Sequence, residues 1–240
     1  MLAILIFNPI FFRLELKQMI FTANSEMEKP RLESKDSLEN ILQSFQAKRI
    51  AETYRDLESI QEYNKLYHFF LLHIYGPQDF GFRNESIKSL HQKMSRILKG
   101  EIIRAIGKVI ELNDLSKKLD DKMIFQMQNL GINEELDMEK YKIIYRKCNN
   151  YQERIAQINL LVDSVRAIHH ISQMRFIGFS LKAVNKATHI AGFGKIMDFL
   201  VAGYEAFHQV RNIEDFANII LMREMELNDI LFETSQQKNV

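Results

Sequence analysis

The side chains with chemistry to offer are seven histidines, one cysteine and the acids spaced to work with them. Glu205 and His208 form a Glu-x-x-His pair, which puts both groups on one face of a helix as in di-iron bundles. A di-iron centre needs two such motifs and two further carboxylates from other helices, and the chain carries one motif. The pair therefore reads as incidental, with a helical metalloprotein or enzyme using Glu205 and His208 as the second alternative. His68 and His73 project about 140° apart on a helix, and the adjacent His169 and His170 diverge by about 100°, so neither pair shares a metal unaided. A His-Glu-x-x-His zinc motif is absent. No metal, no cofactor and no catalytic residue is expected.

Nucleophile signatures are equally thin. No Gly-x-Ser-x-Gly elbow is present. Cys148 shares a helical stripe with Tyr141, Ile144 and Tyr145, the setting of a buried, inert thiol. Gly192-x-Gly194 lacks a preceding strand and a third glycine, so it reads as a corner between helices, not a dinucleotide loop. The acid pairs Asp120-Asp121 and Glu134-Glu135 sit among lysines or at expected helix starts and read as solvated surface.

One segment stands apart. Residues 69–83 read FFLLHIYGPQDFGFR and crowd Phe69, Phe70, Tyr75, Phe80 and Phe82 around Gly76-Pro77. The preceding helix must stop there, because proline disfavours helical geometry at the residue before it. Asp79 and Arg83 have the spacing to pair across a new helical turn. The first reading is a rigid buried corner; the second is the wall of a small apolar ligand's pocket, or of an interface.

The elements that must position these groups are helical. Asp36 and Glu39 have capping-box spacing, and Leu38, Ile41, Leu42 and Phe45 follow at helical intervals, resuming at Ile50, Tyr54 and Leu57. Further faces run through Ile87, Leu90, Met94 and Ile97, and through Ile103, Ile106 and Ile110. Others follow Ile155, Ile158, Val162 and Val165, and Ile196, Leu200, Gly203, Phe207 and Val210. Three prolines and nine glycines in 240 residues leave long helices with few breaks, placed at Gly76-Pro77, Gly100, Gly131 and Gly192 to Gly194. No stretch alternates with period two between hairpin turns, so no sheet is expected. The expectation is an all-α fold, a single irregular bundle of about eight helices. Residues 37–232 form it, 233–240 are a flexible tail, and 1–36 are a disordered or misassigned lead.

That lead opens with an apolar run, Met1 to Phe12, broken at Asn8 and Pro9. It is shorter than the roughly 20 residues a membrane span needs, and no basic residue precedes it as in a secretory signal. The favoured reading is translation from Met27 or Met19, with a cleaved or membrane-touching segment as the alternative. Composition adds limits of its own. Lysine and arginine number 32 against 31 acids, a net charge of +1, which argues against nucleic-acid binding by bulk basicity. Lys117, Lys118, Lys182 and Lys186 read as solvated helix face. A single cysteine excludes an internal disulfide framework.

The run at residues 49–84 resembles a family of uncharacterised bacterial proteins. The family pattern of Thr-Tyr-x-Asp-Leu, then Phe-Phe-Leu-x-x-Leu-Tyr-Gly-Pro-x-Asp-Phe and an Arg-Asp pair, is met by Thr53, Tyr54, Asp56, Leu57, Phe69, Phe70, Leu71, Tyr75, Gly76, Pro77, Asp79, Phe80 and Arg83. Ile74 and Asn84 depart from it. The similarity returns at Glu111-Leu112, Leu119-Asp120, Ile177-Gly178, Ala191 to Gly194, Asp198 to Leu200, Gly203, Ala206-Phe207, Phe216 and Arg223-Glu224. The resemblance implies an all-α cytoplasmic protein and supplies no activity. The leading expectation is a non-enzymatic interaction or scaffold module with a protein partner or a second copy of itself. The alternative is a protein binding a small apolar ligand or lipid at the corner 69–82. Neither nucleic-acid binding nor stable membrane insertion is expected.

Overall fold

The structure is a computed structural model, and it describes residues 33–74, 100–175, 177, 178, 181 and 194–233. Among these residues there are seven α-helices and no strand, as the helical spacing requires and slightly fewer than the eight expected. Helix α1 spans Glu33–Thr53 and is followed by a 3-10 turn, Arg55–Ser59. Helix α2, Asn64–Phe69, runs into a π-turn at Phe70–Ile74. The long α3, Glu101–Asn129, is followed by α4, Met138–Lys147, and α5, Tyr151–Ser172. Helices α6, Gly194–His208, and α7, Ile213–Phe232, complete the set.

Local chemistry accounts for the boundaries. Gly100 and Gly131 bracket α3 at φ +84° and +66°, backbone that L side chains rarely adopt, so both expected breaks fall where glycine is needed. Asp137 caps α4 by accepting from Lys140 N at 2.7 Å. Asn212 caps α7 by accepting from Glu214 N at 3.1 Å. The Glu62 carboxylate reaches the same end, accepting from Arg211 N at 2.6 Å, and those backbone donors hold it below the ordinary carboxylate range. Helix α1 starts at Glu33, so Asp36 lies inside its first turn and not at the cap that the Asp36–Glu39 spacing suggested.

Helix α5 is the hub and packs most extensively against α3 and α7. Two apolar clusters form, the first of them including α5. One joins Ile50, Tyr54, Leu57, Phe69, Val162, Val165, Phe207 and Phe216, from α1, the first turns, α2, α5, α6 and α7. The other joins Leu38, Leu42, Met123, Met127, Tyr141, Ile144, Tyr145 and Leu231. The stripe expected through Ile103, Ile106 and Ile110 is only half-buried; α3 instead buries Ala105, Leu119, Met123, Ile124 and Met127. Helix α5 runs along most of α3, from His170 beside Glu101 to Glu153 beside Lys118, and the residues of α1, α4 and α7 that pack with Met123 and Met127 add cover over its C-terminal half alone.

Phe69 and Phe70 lie in an aromatic knot. Phe69 has ring centroids of Phe199 and Phe207 at 5.5 and 6.3 Å, and Phe70 stacks on Phe216 at 6.1 Å. The remainder of the expected corner, Tyr75, Gly76, Pro77, Asp79, Phe80 and Arg83, lies outside the described residues, as do Lys182, Lys186 and the start at Met1 to Met27. Among the described residues no helix is long and apolar enough to cross a membrane.

Candidate functional site

Between the two apolar clusters runs a belt of polar side chains drawn from five helices. Its outer part is a clamp between the end of α1 and the middle of α7. Glu224 Oε1 accepts from Arg49 Nη1 at 3.1 Å and from the Tyr54 hydroxyl at 2.8 Å. These charges are withdrawn from water, with the Arg49 and Glu224 side chains only 12% and 15% exposed. Arg223 grips Asp56 through both carboxylate oxygens at 2.8 and 2.7 Å, and also donates to the Thr53 carbonyl at 2.7 Å. Its guanidinium lies 5.5 Å from the Tyr54 ring centroid. The Arg223 hydrogen bonds hold the Asp56 carboxyl below its usual range. Thus Thr53, Tyr54 and Asp56 meet Arg223 and Glu224 across about 170 residues of chain.

The inner part of the belt centres on Arg154, which is 5% exposed in the first turns of α5. Its guanidinium covers the Tyr145 ring at 4.6 Å and donates through Nη1 to Gln157 Oε1 at 3.1 Å. Gln157 is itself held, donating to Ser116 Oγ at 2.8 Å. Tyr145 donates its hydroxyl to Asn228 Oδ1 at 3.0 Å, within a buried pair. Burial pushes the Tyr141 and Tyr145 phenols well above their ordinary range, with Arg154 and Arg49 opposing the rise. Asp120 accepts from Gln46 Nε2 at 3.0 Å, and burial pushes its carboxyl up against that hydrogen bond and the Arg154 charge. The expectation of a solvated Asp120 is therefore corrected. Asp121 does face outward, pairing with Lys117 at 3.7 Å.

Several polar atoms of this inner part have no hydrogen-bond partner among the described residues: Nε and Nη2 of Arg154, both amide atoms of Asn150, and Nδ2 of Asn228. Asn150 precedes α5 by one residue and lies one turn before Arg154, so the two share a helix face.

The other expected residues are placed apart from the belt. His208 donates from Nδ1 to the Ser172 carbonyl at 2.7 Å and stacks on Tyr204 at 4.9 Å, while Glu205 is exposed. His169 donates from Nε2 to the Val210 carbonyl at 2.9 Å, and His170 approaches Glu101 at 2.8 Å. Among the described residues no three His, Cys, Asp or Glu side chains are grouped to hold a metal ion. Cys148 is partly buried, and burial pushes its thiol up, which keeps it protonated.

Outside the belt, α3 presents an open face from Gly107 to Gln126. Two adjoining grooves of about 590 and 710 Å³ run along it and share Asp114 and Lys118. Phe125 is 57% exposed at one end of this face. Glu153 of α5 accepts from Lys118 at 2.9 Å and Lys122 at 2.5 Å, and the two lysines hold its carboxyl down to about 2.

The fold and the belt define an all-helical bundle whose two apolar clusters are joined by a charged, hydrogen-bonded seam. The family of that bundle is shown by the sequence: a model described as "Domain of unknown function (DUF8198)" matches residues 25–238, and the chain belongs to that family. No curated protein and no solved structure matches it.

Proposed function

We propose that this protein acts as a non-enzymatic interaction module, and that its partner is a second copy of the chain bound through the open face of α3. The observation that carries this is the make-up of that face. Its N-terminal part carries Glu111 and Asp114, and its C-terminal part carries Lys117, Lys118 and Lys122 beside Asp121, with Phe125 near the end. Set antiparallel to a second copy with Gly107 opposite Phe125, Asp114 of each helix falls opposite Lys118 of the other, and Glu111 falls one residue from Lys122. Gly107 at one end leaves room beside the large, exposed Phe125 at the other. Self-complementarity of this kind is what a twofold interface requires. The motif residues support a rigid module too, since Asp56, Arg223, Arg49 and Glu224 are engaged with each other in joining helices.

The test is molar mass by light scattering across a dilution series, on the wild type and on Phe125→Glu. The expected result is a dimer at about 100 μM, a concentration at which a stable interface is occupied. Phe125→Glu is expected to be a monomer with an unchanged melt, because an exposed side chain contributes little to the fold. A wild type that stays monomeric throughout, or a dimer indifferent to Phe125→Glu, overturns the proposal.

A further inference from the structure

We propose that the belt holds one small oxyanion, a carboxylate or phosphate group, on the edge of Arg154 that faces neither Gln157 nor solvent. This site is internal and separate from the α3 face. Arg154 engages Gln157 through Nη1 alone, leaving Nε and Nη2 without a partner among the described residues. These two nitrogens form one edge of the guanidinium, with parallel N–H groups spaced to take two oxygens of a carboxylate or phosphate at once. The edge is fixed in direction, because the group is sandwiched against Tyr145 and tethered through Gln157 to Ser116.

Charge points the same way. A buried guanidinium stays protonated and is costly to bury without a counter-charge. The belt's other arginines are paired, Arg49 with Glu224 and Arg223 with Asp56. Asp120 forms no ion pair with Arg154, and burial pushes its carboxyl up against the Arg154 charge. Among the described residues no acid forms an ion pair with Arg154, and a bound oxyanion would supply that counter-charge. Two further residues of the inner belt hold atoms without a partner among the described residues: Asn150, 4% exposed and one turn before Arg154, and Asn228, 1% exposed, whose Oδ1 accepts from the Tyr145 that Arg154 covers. Amide donors of this kind are what the remaining oxygens of such a group need.

The experiment is calorimetric titration of the full chain with sodium phosphate and, separately, sodium acetate, at constant ionic strength set by chloride. Tyrosine emission is recorded in parallel, since the chain has no tryptophan to mask Tyr145. Expected is saturable one-site binding of at least one of the two, with a Kd of about 1 mM or below and a change in emission. The better ligand distinguishes a phosphate site from a carboxylate site. Arg154→Lys keeps the charge and loses the fork, so it is expected to weaken binding at least about tenfold. Should that variant fail to fold, nitrogen-15 resonances of the wild-type arginine side chains give the answer, with one buried Nε–H moving on titration. Absence of saturable binding for both anions, equal affinity in Arg154→Lys, or an unmoved Nε–H set overturns the proposal and leaves the edge to water.

Discussion

Removing Glu224 is the perturbation on which the clamp stands or falls. Its carboxylate accepts from a guanidinium and from a phenol, at 3.1 and 2.8 Å. Replacement by leucine strips Arg49 of its counter-charge while leaving the guanidinium only 12% exposed. Breaking a buried pair from one side costs about 3–5 kcal/mol, and the residual exposure of both groups argues for the lower end, about 3 kcal/mol. Arg49→Met strands Glu224 in the same way, with the Tyr54 hydroxyl still donating, and is expected to cost about 3 kcal/mol. The double variant removes both charges and leaves apolar side chains of similar reach between the clusters. Only the Tyr54 hydroxyl then lacks its acceptor, at a cost of about 1–2 kcal/mol. The double variant is thus more stable than either single one, short of additivity by about 4 kcal/mol. Urea unfolding followed by far-ultraviolet circular dichroism measures all four corners of the cycle. Costs that add to within about 0.5 kcal/mol would refute the reasoning, since uncoupled residues behave that way.

Two further outcomes follow from other parts of the fold. Glu153 has its carboxyl lowered from 4.5 to about 2 by Lys122 and Lys118, so the unfolded chain takes up this proton first as pH falls. The stability it contributes is present above pH 4.5 and is lost between there and about pH 2; Glu153→Gln is expected to flatten that acid limb, and urea midpoints that run parallel to wild type across it would sink the assignment. Gly203→Ala would place a Cβ 3.0 Å from Phe69 Cζ, in a ring that Phe70, Phe199 and Phe207 hold in place. Overpacking of about 2 kcal/mol outweighs the roughly 1 kcal/mol that alanine gains in a helix, so a net loss of about 1 kcal/mol is expected in a thermal melt. A stabilised variant would mean that the Phe69 ring swings aside.

The helices were legible because apolar residues at steps of three and four announce a buried face directly. Tyr141, Ile144 and Tyr145 on α4, and Ile158, Val162 and Val165 on α5, are buried as their spacing requires. The belt was not legible, for a physical reason. Arg154, Asp120 and Glu224 have neighbours of like polarity in sequence, and their burial is caused by partners on other helices, which no local window contains. Thr53, Tyr54, Asp56, Arg223 and Glu224 were all singled out by the family resemblance, and Asp120 with them, yet nothing in a linear pattern says that the first three meet the next two.

One signal was present and carries the rule for this fold. Along α7, Phe216, Ile220, Glu224, Asn228 and Leu231 occupy one continuous face, and four residues separate each from the next until the last step of three. On α1 the same progression runs Leu38, Leu42, Gln46, Ile50 and Tyr54, and on α5 it runs Asn150, Arg154, Ile158, Val162 and Val165. In each case polar residues stand in register with the buried stripe instead of opposite it. A helix that turns such a residue toward its neighbours must satisfy it there or lose stability. Three helices doing so at the same level can satisfy one another. The interruptions at Gln46, at Arg154 and at Glu224 with Asn228 therefore predict a shared polar layer where each helix taken alone predicts only a flaw. In the structure Glu224 and Asn228 Oδ1 are engaged across helices, and the atoms of that layer without a partner among the described residues include Nε and Nη2 of Arg154, the edge we assign to a bound oxyanion.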